Sequence, residues 1–169
     1  MRRTCLIVVV GTFAVCGCGQ RELREFASAQ DKFKVRFPGV PTNKKQSKAG
    51  EELTTSYEIE FRDGGYGVVC SHLPPSDRPF EPGVLKNLSD EGMRLMDAKI
   101  TAANDVKSGT HAGREATGTA FLNAKPVVLR VRTFMTSDRL YQVMTIGQNA
   151  RFVNSDEANQ VLDSFQILP

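Results

Sequence analysis

The chain has 169 residues, with 22 Lys and Arg against 19 Asp and Glu for a formal net charge of +3, four cysteines, two histidines and no tryptophan. That length suits one compact domain built on one core. So small a net charge excludes the broad electropositive field with which a protein grips nucleic acid, and no nucleic-acid partner is expected.

The chain opens Met1-Arg2-Arg3, runs through Leu6-Ile7-Val8-Val9-Val10 and reaches small residues at Gly11, Ala14 and Gly17, the charged, apolar, small order of a secretory signal. From Cys5 to Cys18 the run would make about 21 Å of helix at ~1.5 Å per residue, short of the ~30 Å hydrocarbon core of a bilayer. Within it, Val15-Cys16-Gly17-Cys18 resembles the lipobox of bacterial lipoproteins. The resemblance implies removal of residues 1–17 and lipidation of Cys18, whose thiolate is the only strongly nucleophilic side chain there that could take a diacylglyceryl group. The rival reading, a Cys-x-Cys metal site, lacks partners: zinc wants four ligands, and Cys5 lies deep in the apolar run. Cys70 would then be the one thiol of the exported domain besides Cys18, so no internal disulfide is expected and packing must supply the stability.

Residues 19–30 read as a tether, and a domain is expected over 31–169. In "DKFKVRF", Phe33, Val35 and Phe37 alternate with charged residues, the pattern of a strand with one buried face. Residues 44–50, with Lys44, Lys45 and Lys48, read as a solvated loop. Alternation resumes over 54–61, and Asp63-Gly64-Gly65 offers turn residues able to take positive φ, so that 66–73 returns as an antiparallel partner. The proline-rich stretch "LPPSDRPFEPG" leads into a helix from Pro82 to about Ala98, with Glu81 at its cap, Phe80 and Leu85 as a hydrophobic staple, and Leu85, Leu88, Gly92, Leu95 and Met96 on one face. Strands follow at about 100–107, 114–122, 126–136 and 139–147, joined by links short enough to make successive strands antiparallel neighbours. Ser155 caps a closing helix with Asp156 and Glu157 in its first turn and Ala158, Val161, Leu162 and Phe165 on its apolar face.

These elements make an α+β domain: a central, mainly antiparallel sheet of six or seven strands with two main helices. Strand 139–147 is apolar in both registers, with Tyr141 and Val143 on one side and Leu140, Met144 and Ile146 on the other. Both of its faces should be covered, which makes the domain an α/β/α sandwich.

The order of elements, with "FKVRFPGVP" at the first strand, "RVRTFMTSDRLYQVMTIG" in the meander and "VLDSFQIL" at the close, resembles the PsbP-like fold over about residues 31–168. That group includes the extrinsic photosystem PsbP proteins, a nuclear import factor that binds Ran, and DcrB-like bacterial lipoproteins. The lipoprotein branch matches best because it shares the anchor. What the resemblance implies is architecture and a binding or assembly role, with no functional residue carried over.

His72 and His111 are the only side chains suited to act as a base near neutral pH, and neither stands in a nucleophile, zinc-protease or phosphate-loop motif. The glycines of "GGYG" and "GTHAGREATG" lack the strand-to-helix setting of a phosphate loop. Cys70 and His72, two apart on a strand, share a face and could hold a soft metal, but two ligands make a weak site, and a buried thiol beside a rim histidine is the simpler reading. Arg130 and Arg132 also share a face, and pairing with Glu58, Glu60 or Glu115 is favoured over partner recognition. The expectation is a lipid-anchored envelope protein facing the periplasm or exterior, attached to the membrane through Cys18, with a protein partner in the envelope and with no catalytic residue, cofactor or metal. The alternatives are a small-ligand carrier, which needs a closed apolar cavity, and a hydrolase, which needs a cleft gathering His72 or His111 with a carboxylate and a nucleophile.

Overall fold

A computed structural model describes residues 21–48, 51–74 and 83–169, with the backbone alone at 45–48 and 51–53. The signal segment, Cys18, Phe80 of the expected staple, Glu81 and Pro82 lie outside these residues. The helix expected from Pro82 to about Ala98 runs only over Val84–Leu95, with Gly83 at positive φ in the cap position and no side-chain cap, so Glu81 is not its cap. Phe33, Val35 and Phe37 are each fully buried, as their alternation requires, in strand β2 (Phe33–Phe37). One of its neighbours is adjacent in sequence and the other comes from the far end of the chain. Strand β1 (Arg24–Ser28) pairs along one edge and the two-residue β10 (Gln166–Ile167) along the other, so both ends of the domain meet in a small antiparallel sheet. Much of the expected tether is therefore a strand: the folded part begins by Arg24, because an exposed edge of β2 offers its backbone groups to the preceding chain.

The second sheet has seven strands, all antiparallel, in the order β3-β4-β5-β9-β8-β7-β6. They are β3 (Thr42–Lys48), β4 (Glu51–Phe61), β5 (Gly64–His72), β6 (Lys99–Ser108), β7 (His111–Leu122), β8 (Lys125–Met135) and β9 (Arg139–Gly147). The expected number of strands is right and the membership is not. β2 belongs to the small sheet, and the expected loop at 44–50 is largely β3, an edge strand whose pairing with β4 slips between Gln46 and Ser47. Lys44 reaches across this pair to Glu58 at 2.7 Å. The tight turn after β4 falls on Arg62 and Asp63, and Gly64 is already in β5 opposite Gly147. Gly64 is needed for close approach: a Cβ there would lie 2.3 Å from the Ile146 carbonyl oxygen.

Among the described residues there are three helices: α1 (Val84–Leu95), the single turn α2 (Ala150–Val153) and α3 (Asp156–Ser164). α1 lies over β6, β7 and β8 on one face of the large sheet. Its buried residues are Ser89 and Met93, with Leu85 and Leu88 half-buried and Leu95 72% exposed, so the face is rotated from the expected leucine stripe. Close packing sets this rotation, since a Cβ at Gly92 would strike the Gln142 amide and one at Gly118 the Met93 methyl. On the opposite face α3 and the small sheet enclose the larger core, with Val161, Leu162 and Phe165 buried as expected. The Ser155 hydroxyl accepts from the Ala158 backbone N–H at 3.1 Å and caps α3. Phe165 stands just past the helix, stacked on Phe134 at 5.4 Å and set against Tyr141 and Phe33; aromatic pairs of this kind add about 0.5–1.5 kcal/mol beyond their buried area.

β9 has apolar packing on both sides: Tyr141 and Val143 are buried in the larger core, and Met144 and Ile146, half-buried, pack against the edge of the cluster under α1. The domain is the expected helix, sheet and helix sandwich, with the small sheet added to one outer layer. Glu115 answers both arginines of β8. It lies 3.0 Å from Arg130 Nε and 2.7 Å from Arg132 Nε, while Arg132 reaches Asp163 and Arg130 donates to Asn159, which ties α3 to the sheet.

Candidate functional site

The turn between β1 and β2 drops a carboxylate onto the end of β5. Asp31 is fully buried, and its turn is fastened from three directions. Its backbone N–H donates to the Ser28 hydroxyl at 3.2 Å, its carbonyl accepts from the Tyr141 hydroxyl at 2.9 Å, and the carbonyl of Lys32 accepts from the Leu168 N–H at 2.8 Å. The carboxylate accepts from the Tyr57 hydroxyl at 2.6 Å through Oδ2, while Oδ1 faces His72 Nε2 at 3.3 Å. Burial, followed by the hydrogen bond to Asp31, pushes the Tyr57 hydroxyl up to about 12, so at neutral pH it stays protonated and donates.

Cys70 and His72 do point to one face, as their spacing on β5 requires, and the structure adds Asp31 to them: one ligand-type atom from each lies within 4.8 Å of the other two. Asp31 was not singled out by the sequence. Its signal, the spacing Ser28-x-x-Asp31 of a turn between strands, becomes readable only once β1 is recognised. A cysteine, a histidine and an acid are also the parts of a nucleophilic triad, but their arrangement does not serve that chemistry. Cys70 is fully buried, and burial first, then the Asp31 charge, push its thiol up to about 12. A reactive cysteine needs the opposite shift and an approach for substrate.

His111 stands at the start of β7 and lines a different space, an open cleft of about 340 Å³ with Lys32, Arg139, Tyr141, Ile167 and Pro169. Arg139 is held there by Asp138. A second open groove, of about 500 Å³, lies on the α1 face over β4, β5 and β9, lined by Phe61, Gly65, Val69, Leu122, Val127 and Ile146 among others. Leu122 and its neighbour Phe121 are 56% and 74% exposed. Of the sequence-level candidates, Arg130 and Arg132 are absorbed by Glu115, and Cys18 lies outside the described residues.

No protein-family model matches the sequence, and no curated protein is significantly similar to it. Solved structures do match. Cyanobacterial PsbP (CyanoP) from Synechocystis sp. PCC 6803 aligns with a TM-score of 0.61 at 16% identity, over 93% of this chain and 99% of that one. PA94 from Pseudomonas aeruginosa, a protein of unknown function, aligns with a TM-score of 0.51 at 13% identity, over 87% and 96%. A protein from Bacteroides thetaiotaomicron aligns with a TM-score of 0.50 at 11% identity, over 86% of this chain and 48% of its own length. At such identities the shared property is architecture, and it coincides with the order of elements seen in the sequence: this chain has the PsbP-like fold.

Proposed function

We propose that the chain is a lipid-anchored protein of the cell envelope, facing the periplasm or exterior, that acts without catalysis as a binding or assembly module for another envelope component. The observation that carries this reading is where the folded domain first takes hold of the chain. The Arg21 guanidinium sits 3.6 Å from the centre of the Phe61 ring and 3.1 Å from Glu157, whose other partner is the Tyr66 hydroxyl. Only Gly19 and Gln20 separate it from Cys18, and three residues reach about 11 Å at most. A lipid on Cys18 would hold the domain by the end that carries Phe61.

That end also carries the exposed apolar surface. Phe61, Gly64, Gly147, Val128 and Thr119 pair in turn across five strands. The β7–β8 hairpin runs on past this row to Phe121 and Leu122, and the 500 Å³ groove opens beside it. An anchored domain would present this surface to a partner at the membrane. The absence of catalysis in this reading is supported by the burial and high pKa of Cys70, and both clefts open at the surface, unlike the closed cavity of a carrier. The test is a photo-crosslinking residue placed in intact cells at Leu122 and, as control, at Thr110 in the turn at the far end of β7. A discrete protein adduct at 122 and none at 110 is expected. Equal labelling at both positions, or adducts to lipid alone, would remove the case for a partner at this end.

A further inference from the structure

We propose that Asp31, Cys70 and His72 form a binding site for one zinc ion. The carboxylate oxygen, the sulfur and the ring nitrogen lie within 4.8 Å of one another, and ligands at zinc bond lengths of roughly 2.0–2.3 Å stand about 3.5 Å apart around a tetrahedral centre. Closing on an ion therefore asks for a movement of about an ångström, and the His72 side chain, 34% exposed at the end of β5, has room for it. The donor set chooses the metal: sulfur and imidazole suit zinc, whereas calcium and magnesium take oxygen. One carboxylate and one thiolate also neutralise a dication in a place where a lone buried charge is costly.

The surroundings are those of a supported site. The Tyr57 hydroxyl occupies Asp31 Oδ2 and leaves Oδ1, the oxygen that faces His72, for the ion. Ser28 and Tyr141 fix the Asp31 backbone on either side, so the ligand is oriented before metal arrives. As the sulfur–zinc bond forms, the thiol proton leaves to solvent. Three protein ligands leave a fourth position for water on the exposed side of His72. The ion would join the β1–β2 turn of the small sheet to β5 of the large one. None of this depends on the lipid anchor.

The test uses the full-length protein purified from whichever fraction holds it, stripped with a chelator and titrated with cobalt(II) and then zinc(II). One cobalt per chain is expected, with the visible bands of a tetrahedral ion and a thiolate-to-cobalt charge-transfer band, both displaced by one equivalent of zinc. Cys70→Ala should abolish the charge-transfer band, and His72→Ala should weaken zinc at least tenfold. Tyr57→Phe, which removes only the hydroxyl that positions Asp31, should weaken zinc about 10–100-fold and keep the band. An octahedral cobalt spectrum without charge transfer, a band that survives Cys70→Ala, or zinc affinity unchanged in His72→Ala would each overturn the site. Should Cys70→Ala fail to fold by circular dichroism, the His72 and Tyr57 variants decide.

Discussion

Glu115 and Asp31 are both carboxylates inside the domain, held in different ways. Glu115 has two guanidinium partners on the neighbouring strand. Burial alone would raise its carboxyl; the hydrogen bonds and charges of Arg130 and Arg132 outweigh burial and hold it below the ordinary 4.5. With the folded value depressed, the unfolded chain takes up its proton first as pH falls. The stabilisation is therefore complete above the ordinary carboxylate range and is lost as pH drops through the lower folded value. Glu115→Gln should cost roughly 3 kcal/mol at neutral pH, the scale of breaking a buried pair. That gap should shrink on acidification, because a protonated glutamate resembles glutamine. Urea midpoints measured down through the carboxylate range check this, and a gap independent of pH would show that the ion pair is not what Glu115 contributes. The pairing was legible in the alternation of Arg130 and Arg132 along one strand. The Asp31 network was not, because its members come from β1, its turn, β4, β5 and β9, and the local spacings Ser28-x-x-Asp31 and Cys70-x-His72 do not show that these segments meet.

At the scale of elements, strands and helices with one apolar face were readable and those without one were not. β2 and α3 announce themselves by Phe33-x-Val35-x-Phe37 and by Ser155 before an amphipathic turn. β3 could not, since an edge strand needs no buried stripe and is protected by charge, and its Lys-rich sequence therefore imitates a loop. The rotation of α1 was hidden for another reason: Gly92 and Gly118 decide how closely the helix approaches, and leucine spacing does not record that. The β7–β8 turn gives an element-level prediction. Asn123 and Ala124 have φ of 51° and 61°, as a two-residue type I′ hairpin turn requires. Asparagine tolerates that region, but a β-carbon at the second position costs about 1–2 kcal/mol there, against roughly 0.5–1 kcal/mol of extra unfolded-state entropy for glycine. Ala124→Gly should therefore stabilise the domain by up to about 1 kcal/mol, read as a higher thermal midpoint. A lower midpoint would mean that the turn does not hold this backbone.

Across the whole molecule, the sequence showed how many strands stack and that β9 lies between two layers, while the joining of both chain ends in one small sheet emerged only with the structure. That junction changes how an anchor would act. A flexible tether of twelve residues would let the domain wander about 17–21 Å from its membrane, but Arg21 is docked on Phe61 and Glu157, and only Gly19 and Gln20 stand between it and Cys18 in sequence. Attachment and orientation would then be set together by Cys18. A diacylglyceryl thioether carries two long chains, each buried methylene contributes about 0.8 kcal/mol, and two chains are the usual threshold for stable attachment. Cys18→Ala should block lipid addition and, where cleavage follows lipidation, leave a precursor that retains residues 1–17. Cys16→Ala, altering only the tolerated middle position of Val15-Cys16-Gly17-Cys18, should be processed normally. Mass spectrometry of the membrane fraction distinguishes these outcomes. An unmodified mature N-terminus, or processing lost in Cys16→Ala and kept in Cys18→Ala, would sink the anchor and with it the orientation of the Phe121 and Leu122 surface toward the membrane.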